Sequence, residues 1–143
     1  MYEEPELTQH IFDWAFEFGL GKETGIDLPG EITGLVPTPD WKKRVKGEYW
    51  FLGNTYHMAI GQGDLAVTPL GANIMTSVIA NNGKLCKPHI KKSDEDCNDL
   101  NISKSSIDLV EEGMIAACSD GGTAFPFFDF SPQVACKTGT AET

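Results

Sequence analysis

Residues 134–142 read VACKTGTAE and bring an ammonium group, two hydroxyls and a glycine into one short stretch. We predict a strand over 134–141, because alternate residues of an extended chain share a face, and this set suits recognition of a carboxylate beside a carbonyl. Gly139 has no side chain, so a peptide can lie along the strand edge, where the N–H of Thr140 faces a developing oxyanion. Taken alone, the stretch from Lys137 to Thr140 also fits a solvated turn.

Helices are predicted at four places upstream: over 5–18, from Thr38 onward, over 68–82 and over 107–118. Apolar residues at helical spacing indicate the first and third of them. Thr68 followed by Pro69 is typical of an N-cap and the first helical position. Ser106 is predicted to cap the last helix, whose inward-facing residues would be Leu109, Val110, Met114 and Cys118.

The segments between the helices predict short strands and loops. Residues 24–31 are too rich in Gly and Pro for a helix and indicate a strand followed by a turn. A short strand is expected over 84–92, after Asn82-Gly83, which tolerate a left-handed backbone. Residues 93–105 are polar and lack periodicity, which favours a loop. The basic run at 42–46 is interpreted as a solvated face.

Charge and length exclude some classes of protein. The chain has 143 residues and a formal net charge of -10, whereas nucleic-acid binding needs clustered Lys and Arg. The same charge disfavours binding to anionic lipid. No stretch approaches the ~20 apolar residues of a membrane-spanning helix.

The four cysteines lie at positions 86, 97, 118 and 136, with no Cys-x-x-Cys pair. Neither a metal site nor a cofactor is expected. We expect free thiols, and keep a Cys86–Cys97 disulfide as the alternative in an oxidising compartment.

Two glycine-rich stretches fail as nucleotide sites. Before Lys22, the phosphate-loop pattern needs a further glycine where Phe16 stands, and Glu23 replaces the required Ser or Thr. The Gly61-Gln62-Gly63 stretch does not open directly into its helix and lacks the acidic residue expected ~20 positions later.

Six stretches carry a resemblance to a known family. They are GLGKETGIDLPGE (19–31), GLVPTPDWKK (34–43), IGQGDLAVTPLG (60–71), ANNGKLCKPHI (80–90), GGTA (121–124) and VACKTGTAE (134–142). In this order they resemble the transpeptidase domain of class B penicillin-binding proteins of the penicillin-binding protein 2 type. Lys-Thr-Gly is one motif of that family. The resemblance implies an α+β fold with an antiparallel sheet and helices on both faces, here incomplete.

The resemblance also implies a function. The family cross-links peptidoglycan by attack of a serine on a stem peptide ending in D-Ala-D-Ala, and β-lactams acylate the same serine. Lys137 would then shape the electrostatics of the cleft. Thr138 and Thr140 would bind the substrate or drug carboxylate, Gly139 would leave room for the substrate, and the Thr140 N–H would be one oxyanion donor. A membrane anchor is expected in the parent protein, with its enzyme domain on the outer side of the cytoplasmic membrane.

The family's nucleophile motif, Ser-x-x-Lys, is absent from these 143 residues, and so is Ser-x-Asn. The family places both upstream of the stretch at 19–31. We therefore expect residues 1–143 to be a partial transpeptidase domain that also lacks the C-terminal strand and helix and is inactive alone. A non-catalytic pseudoenzyme or a β-lactam-sensing module remains the alternative. A β-lactamase shares Lys-Thr-Gly, but the long blocks at 19–31 and 60–71 favour the transpeptidase.

Overall fold

The structure, a computed structural model, describes residues 6–92 and 94–139, with side chains from Ile11 onward. The helices are α1 (Glu6–Glu17), α2 (Pro39–Lys46), α3 (Leu52–Ala59), α4 (Pro69–Ala80) and α5 (Lys104–Ala117). The strands are β1 (Lys84–Cys86) and β2 (Cys97–Asp99), and a short 3-10 helix spans Phe125–Phe127. The expected mixture of helices with an antiparallel sheet is thus present.

Helices α1, α2 and α4 begin close to where the sequence predicts. The Thr38 hydroxyl accepts a hydrogen bond from the Trp41 N–H at 3.2 Å, which caps α2. The Thr68 hydroxyl accepts from the Gly71 N–H at 3.0 Å and caps α4 in the same way. Each bond satisfies one of the N–H groups that a helix leaves without a partner in its first turn.

Helix α5 begins earlier than predicted. Ser103 is the N-cap, and its hydroxyl accepts from the Ser106 N–H at 3.1 Å, so the assignment of Ser106 as the cap was wrong. The inward face was also only partly right, because Ile107 is the buried residue and Leu109 is 70% exposed. Two residues on from Ile107, a helix presents nearly its opposite side.

The α5 stripe that packs inward continues from Ile107 through Met114 to Cys118. Met114 and Cys118 lie seven and eleven residues after Ile107, and this spacing keeps all three on one side of the helix. Cys118 is 4% exposed, whereas Val110 is 45% exposed. Of the four inward residues predicted, Cys118 is buried, Met114 is half-buried and the other two are exposed.

The sheet is a two-stranded antiparallel pair with Lys84 opposite Asp99 and Cys86 opposite Cys97. The strand predicted from 84 therefore exists but ends at 86, and β2 lies inside the segment predicted to be a loop. Asn82 has a φ of 54°, in the left-handed region expected for the turn into β1. Helix α4 packs on β1 and on α5, which ties the small sheet to the helices.

The main apolar core joins α1 to α3 and to the chain between α1 and α2. Phe12, Leu20, Val36 and Met58 are buried together there. The ring of Phe12 meets that of Trp50 edge-on, with centroids 5.3 Å apart. A buried side chain of this size contributes about 1.5–3 kcal/mol through removal of apolar area from water.

Lys42 contradicts the prediction that the basic run is a solvated face. It is 5% exposed, and its ammonium donates to Asn54 Oδ1 at 3.0 Å and pairs with Glu48 Oε2 at 3.2 Å. A buried cation needs such partners to offset lost hydration. Lys42 thereby links α2 to α3, a helix that the sequence analysis missed. The other cations of the run are exposed.

Residues 24–31 form no strand, contrary to expectation. Backbone N–H groups of this segment bond to a carboxylate instead of to a neighbouring strand. Glu31 accepts hydrogen bonds from the N–H groups of Thr24 at 2.7 Å and Gly25 at 3.1 Å. Asp27 accepts from the N–H groups of Ile90 at 2.7 Å and Lys91 at 3.0 Å. Side-chain acceptors therefore hold this loop in place.

Within the described ranges, no helix is both long and apolar enough to cross a membrane.

Candidate functional site

The Lys137–Gly139 segment reaches its place by a reversal of the chain after α5. Beyond the helix, the Ala124 N–H donates to the Ala117 carbonyl at 2.9 Å and closes the turn. The chain then passes through the 3-10 helix and runs back, so that the Cys136 N–H donates to the Met114 carbonyl at 3.0 Å. The site segment therefore lies beside the C-terminal half of α5.

A disulfide between Cys118 and Cys136 fastens this return, with the two Cα atoms 5.9 Å apart. A second disulfide joins Cys86 to Cys97 across the β1–β2 pair. The expectation of free thiols was therefore wrong at all four cysteines, whereas the alternative pairing of Cys86 with Cys97 is present. Irregular spacing gave no signal for the pair 118 and 136, because folding alone brings the end of α5 next to the returning chain.

Lys137, Thr138 and Gly139 are all exposed. The Lys137 ammonium donates to the Thr138 carbonyl at 2.8 Å and lies 3.5 Å from the Thr138 hydroxyl. A Cβ built on Gly139 would meet no heavy atom of the described chain within 4 Å. An accessible cation therefore stands next to a hydroxyl and an open stretch of backbone, a combination able to bind a carboxylate.

The predicted strand at 134–141 is not formed over its described part, 134–139. Among the described residues, the backbone hydrogen bond of this segment runs from the Cys136 N–H to the Met114 carbonyl. Thr140, predicted as a hydroxyl ligand and oxyanion donor, lies outside the described residues.

An apolar groove of about 400 Å³ opens beside Lys137, between α1, α4 and α5. Its walls include Trp14, Phe18, Ile79 and Val110. Lys137 supplies the charge at its margin, so the groove can accept an apolar group while a carboxylate meets the ammonium.

Other ionised groups with shifted pKa values lie elsewhere in the chain. Hydrogen bonds from the Ile90 and Lys91 N–H groups lower the pKa of Asp27. Hydrogen bonds from Thr24 lower the pKa of Glu31. The Asp108 carboxylate, which accepts from Lys104 at 2.7 Å, raises the pKa of that lysine. These groups stabilise loops and a helix start.

Several serine hydroxyls form hydrogen bonds with the backbone of a helix or of its ends. Ser77 and Ser119 donate to the carbonyls of Asn73 and Ile115, four residues earlier, each at 2.8 Å. Ser103 caps α5.

In the part of the chain that is described, no group of three or more His, Cys, Asp or Glu residues could hold a metal ion.

Comparison with known proteins gives a family match across almost the whole chain. Residues 7–143 match the penicillin binding protein transpeptidase domain. The peptidoglycan D,D-transpeptidase MrdA of Acinetobacter baumannii is 34% identical over 144 residues, covering 90% of this chain and 21% of that protein. Penicillin-binding protein H of Bacillus subtilis is 37% identical over 145 residues, covering 89% of this chain and 19% of that protein.

A solved structure resembles the fold closely. Penicillin-binding protein PBP2 of Helicobacter pylori, solved in a complex with MreC, superposes with a TM-score of 0.85 at 36% identity. The match covers 94% of this chain and 26% of that one. The chain thus spans about a fifth to a quarter of the length of these relatives.

Proposed function

Because this chain belongs to the penicillin-binding protein transpeptidase family, we propose that it forms the Lys-Thr-Gly side of a peptidoglycan D,D-transpeptidase. The observation that carries the proposal is the exposed Lys137-Thr138-Gly139 segment within a family match over residues 7–143. The reaction would be serine acyl transfer between stem peptides. β-Lactams would occupy the same site as the peptide.

In this proposal each residue of the segment has one task. The Lys137 ammonium attracts the terminal carboxylate of a D-Ala-D-Ala peptide, and the Thr138 hydroxyl donates a hydrogen bond to it. Gly139 leaves space for the peptide backbone. Thr140 adds a second hydroxyl, and its N–H stabilises the oxyanion that forms when the nucleophile attacks the carbonyl carbon.

The nucleophile and its base must come from sequence other than these 143 residues, which contain no Ser-x-x-Lys. We propose that residues 1–143 are part of a longer transpeptidase domain and that the missing motifs precede the stretch at 19–31. The chain spans only 21% of the A. baumannii relative, which leaves room for them. A nucleophile without a base in hydrogen-bond reach is weak, so both are needed.

Covalent labelling with a fluorescent penicillin tests this proposal. The 143-residue chain should give no labelled band on a denaturing gel. The gene sequence preceding Met1 should encode Ser-x-x-Lys, and the protein extended through that motif should be labelled. A labelled band from the chain alone, or an upstream sequence without the motif, would contradict the proposal.

A charge variant tests the role of Lys137 in the extended protein. Lys137→Ala should lower the second-order rate of acylation by about 10-fold or more, as expected for loss of a hydrogen bond to a charged group. Lys104→Ala removes the same charge from the exposed start of α5 and serves as the matched control. Equal rates for the two variants would refute a role for Lys137.

The absence of Ser-x-x-Lys favours one alternative, a module that binds β-lactams without reacting. Such a module would bind benzylpenicillin reversibly, and Lys137→Ala would weaken that binding. Reversible binding together with an upstream sequence that lacks the motif would select this alternative over the transpeptidase.

We place the protein on the outer side of the cytoplasmic membrane, with an anchor elsewhere in the whole protein. The two disulfides support an oxidising compartment. The H. pylori PBP2 was solved with MreC, so an MreC-like protein is a proposed partner of the whole protein. Peptidoglycan synthesis that supports cell shape is the proposed role.

A further inference from the structure

One asparagine of the chain lies in an Asn-x-Ser sequence. Asn101-Ile102-Ser103 has this pattern, with isoleucine rather than proline in the middle. The other asparagines, at positions 54, 73, 81, 82 and 98, have neither Ser nor Thr two positions later. Such a sequence accepts an N-linked glycan when it lies on an accessible loop of an exported protein. The pattern therefore singles out Asn101 as a position for modification.

The loop between β2 and α5 presents Asn101 to solvent. Asn101 is exposed, whereas Leu100 and Ile102 on either side of it are half-buried. The Leu100 N–H donates to the Gly83 carbonyl at 3.0 Å, and a Cβ built on Gly83 would lie 3.5 Å from the Ile102 Cβ. The two neighbours thus attach the loop to the turn before β1 and leave Asn101 accessible.

A hydrogen bond within the loop fixes the backbone at Asn101. The Asp99 Oδ1 atom accepts from the Asn101 N–H at 2.8 Å, and Asn101 has a φ of 54°. Asparagine adopts this left-handed conformation more readily than most residues do. The conformation of Asn101 is therefore supported by a contact only two residues away.

The reacting atom of an N-glycosylation acceptor is the side-chain amide nitrogen, Nδ2. The Asn101 Nδ2 donates to the Asp99 carbonyl at 3.4 Å, which is longer than is usual for an N–H···O bond. A carboxamide nitrogen carries two hydrogens, so it keeps one after a sugar has replaced the other. Modification of Nδ2 is therefore compatible with the turn at 99–101.

The neighbouring disulfide supports export, the second requirement. Cys86 and Cys97 are joined across β1 and β2, and β2 ends at Asp99, two residues before Asn101. Disulfides persist in oxidising compartments outside the cytoplasm. The inference rests here on the proposed location of the protein and not on its proposed reaction.

We propose that Asn101 is an N-glycosylation site, which receives an oligosaccharide from a polyprenyl diphosphate donor on the outer side of the cytoplasmic membrane. Nδ2 attacks the anomeric carbon of the first sugar, so that a C–N bond forms and the bond from that carbon to the diphosphate oxygen breaks. The polyprenyl diphosphate leaves with the electron pair, and Nδ2 loses one proton to a base of the transferase. Neither an oxidant nor a reductant takes part.

Mass spectrometry of the whole protein, purified from the cells that produce it, tests the site. Trypsin cuts after Lys92 and Lys104, so the reduced peptide 93–104 contains Asn101. This peptide should carry the added mass of an oligosaccharide, give sugar fragment ions and place the attachment at Asn101. Recovery of the peptide only in its unmodified mass would overturn the proposal.

Variants produced in the same cells separate glycosylation from folding. Asn101→Asp removes the amide nitrogen, keeps a residue type that tolerates a left-handed backbone, and should abolish the added mass. Ser103→Thr keeps both the acceptor pattern and the hydroxyl that caps α5, and should retain it. The matched control is Asn98→Asp at the exposed β2 position three residues earlier, which should also retain it. Persistence of the added mass in Asn101→Asp, or its loss in Asn98→Asp, would overturn the proposal.

The glycosylation site and the proposed function can fail separately. The protein extended through its Ser-x-x-Lys motif is tested for labelling by fluorescent penicillin and for the mass of peptide 93–104. An unmodified peptide from a labelled protein would refute the glycosylation and leave the proposed function intact. A modified peptide from a protein that is not labelled would support the glycosylation and contradict the proposed function.

Discussion

The capped helices and the segments predicted to be strands behave very differently in this molecule. Helices α2 and α4 begin at the threonines that the sequence indicates, each with its capping bond in place. The segments at 24–31 and 134–139, both predicted to contain strands, have no strand pairing in the structure. A disulfide and carboxylate acceptors hold these segments instead.

The difference follows from where each element finds its hydrogen bonds. A helix pairs its own N–H and C=O groups within four residues and needs only a local cap. A strand needs a neighbour from elsewhere in the chain. Local sequence signals are therefore sufficient for the first kind of element and insufficient for the second.

The largest effect is expected at Ile107, which anchors α5. Ile107→Ala should lower the free energy of unfolding by about 2–5 kcal/mol, because the side chain is fully enclosed. Leu109→Ala, on the exposed side of the same helix, should change it by less than about 0.5 kcal/mol. Urea denaturation measures both. Similar losses would mean that the inward face of α5 has been misassigned.

The next effect concerns a loop position where backbone geometry is decisive. Gly34 has a φ of 71°, and a Cβ there would overlap the Ala66 carbonyl oxygen. A non-glycine residue in the left-handed region costs about 1–2 kcal/mol for its backbone conformation alone. Gly34→Ala should lower the free energy of unfolding by more than this amount. Gly30→Ala, with a φ of 82° and open surroundings, should cost no more than that conformational amount. Equal losses in thermal denaturation would exclude the overlap as a cause.

A smaller effect separates Ser103, the N-cap of α5 in the structure, from Ser106, the cap that the sequence analysis predicted. Ser103→Ala should lower the free energy of unfolding by about 1 kcal/mol through loss of the bond from the Ser106 N–H. Ser106→Ala retains that N–H and should cost clearly less. The reverse order in urea denaturation would restore Ser106 as the cap.

The smallest effect is a loss of stability that occurs only at acidic pH, and it tests the loop at 24–31. Bonds from Ile90 and Lys91 lower the pKa of Asp27 in the folded chain. This carboxylate therefore stabilises the fold above its unfolded pKa of about 3.9, and the contribution is lost as the pH falls through the lower, folded pKa.

Thermal denaturation between about pH 2 and 6 measures that contribution. Asp27→Asn should be less stable than the unaltered chain at the upper end, and the two melting temperatures should converge in acid. Asp120→Asn, at an exposed carboxylate beyond α5, is the control and should show no such convergence. A constant difference at every pH would show that the effect at Asp27 is not linked to its ionisation.

The sequence predicted much of the fold and the family, but little of how the chain around Lys137–Gly139 is arranged. Six blocks in the family's order, from 19–31 to 134–142, indicated the family, which the match over residues 7–143 confirms. The roles given to Lys137, Thr138, Gly139 and Thr140 stay predictions. Helix α3 was missed, because it is only eight residues long and its Phe51 N-cap is not a residue type that signals a helix start.

Burial at single positions also escaped the sequence. Lys42 lies in a run of cations whose other members are exposed, and only the approach of Asn54 and Glu48 makes its burial tolerable. The pairing of Cys118 with Cys136 depends likewise on the chain returning along α5. Neither contact leaves a pattern in the local sequence.

Local sequence is sufficient for the helix starts at Thr38 and Thr68, the left-handed turn at Asn82, and the family motif at 137–139. These features depend on residues within a few positions of one another, so local chemistry is enough. Which face of α5 is buried, which lysine is enclosed and which cysteines are joined depend on packing between separate elements. Such outcomes depend on groups brought together from distant parts of the chain, and their free energy exists only once those parts have met.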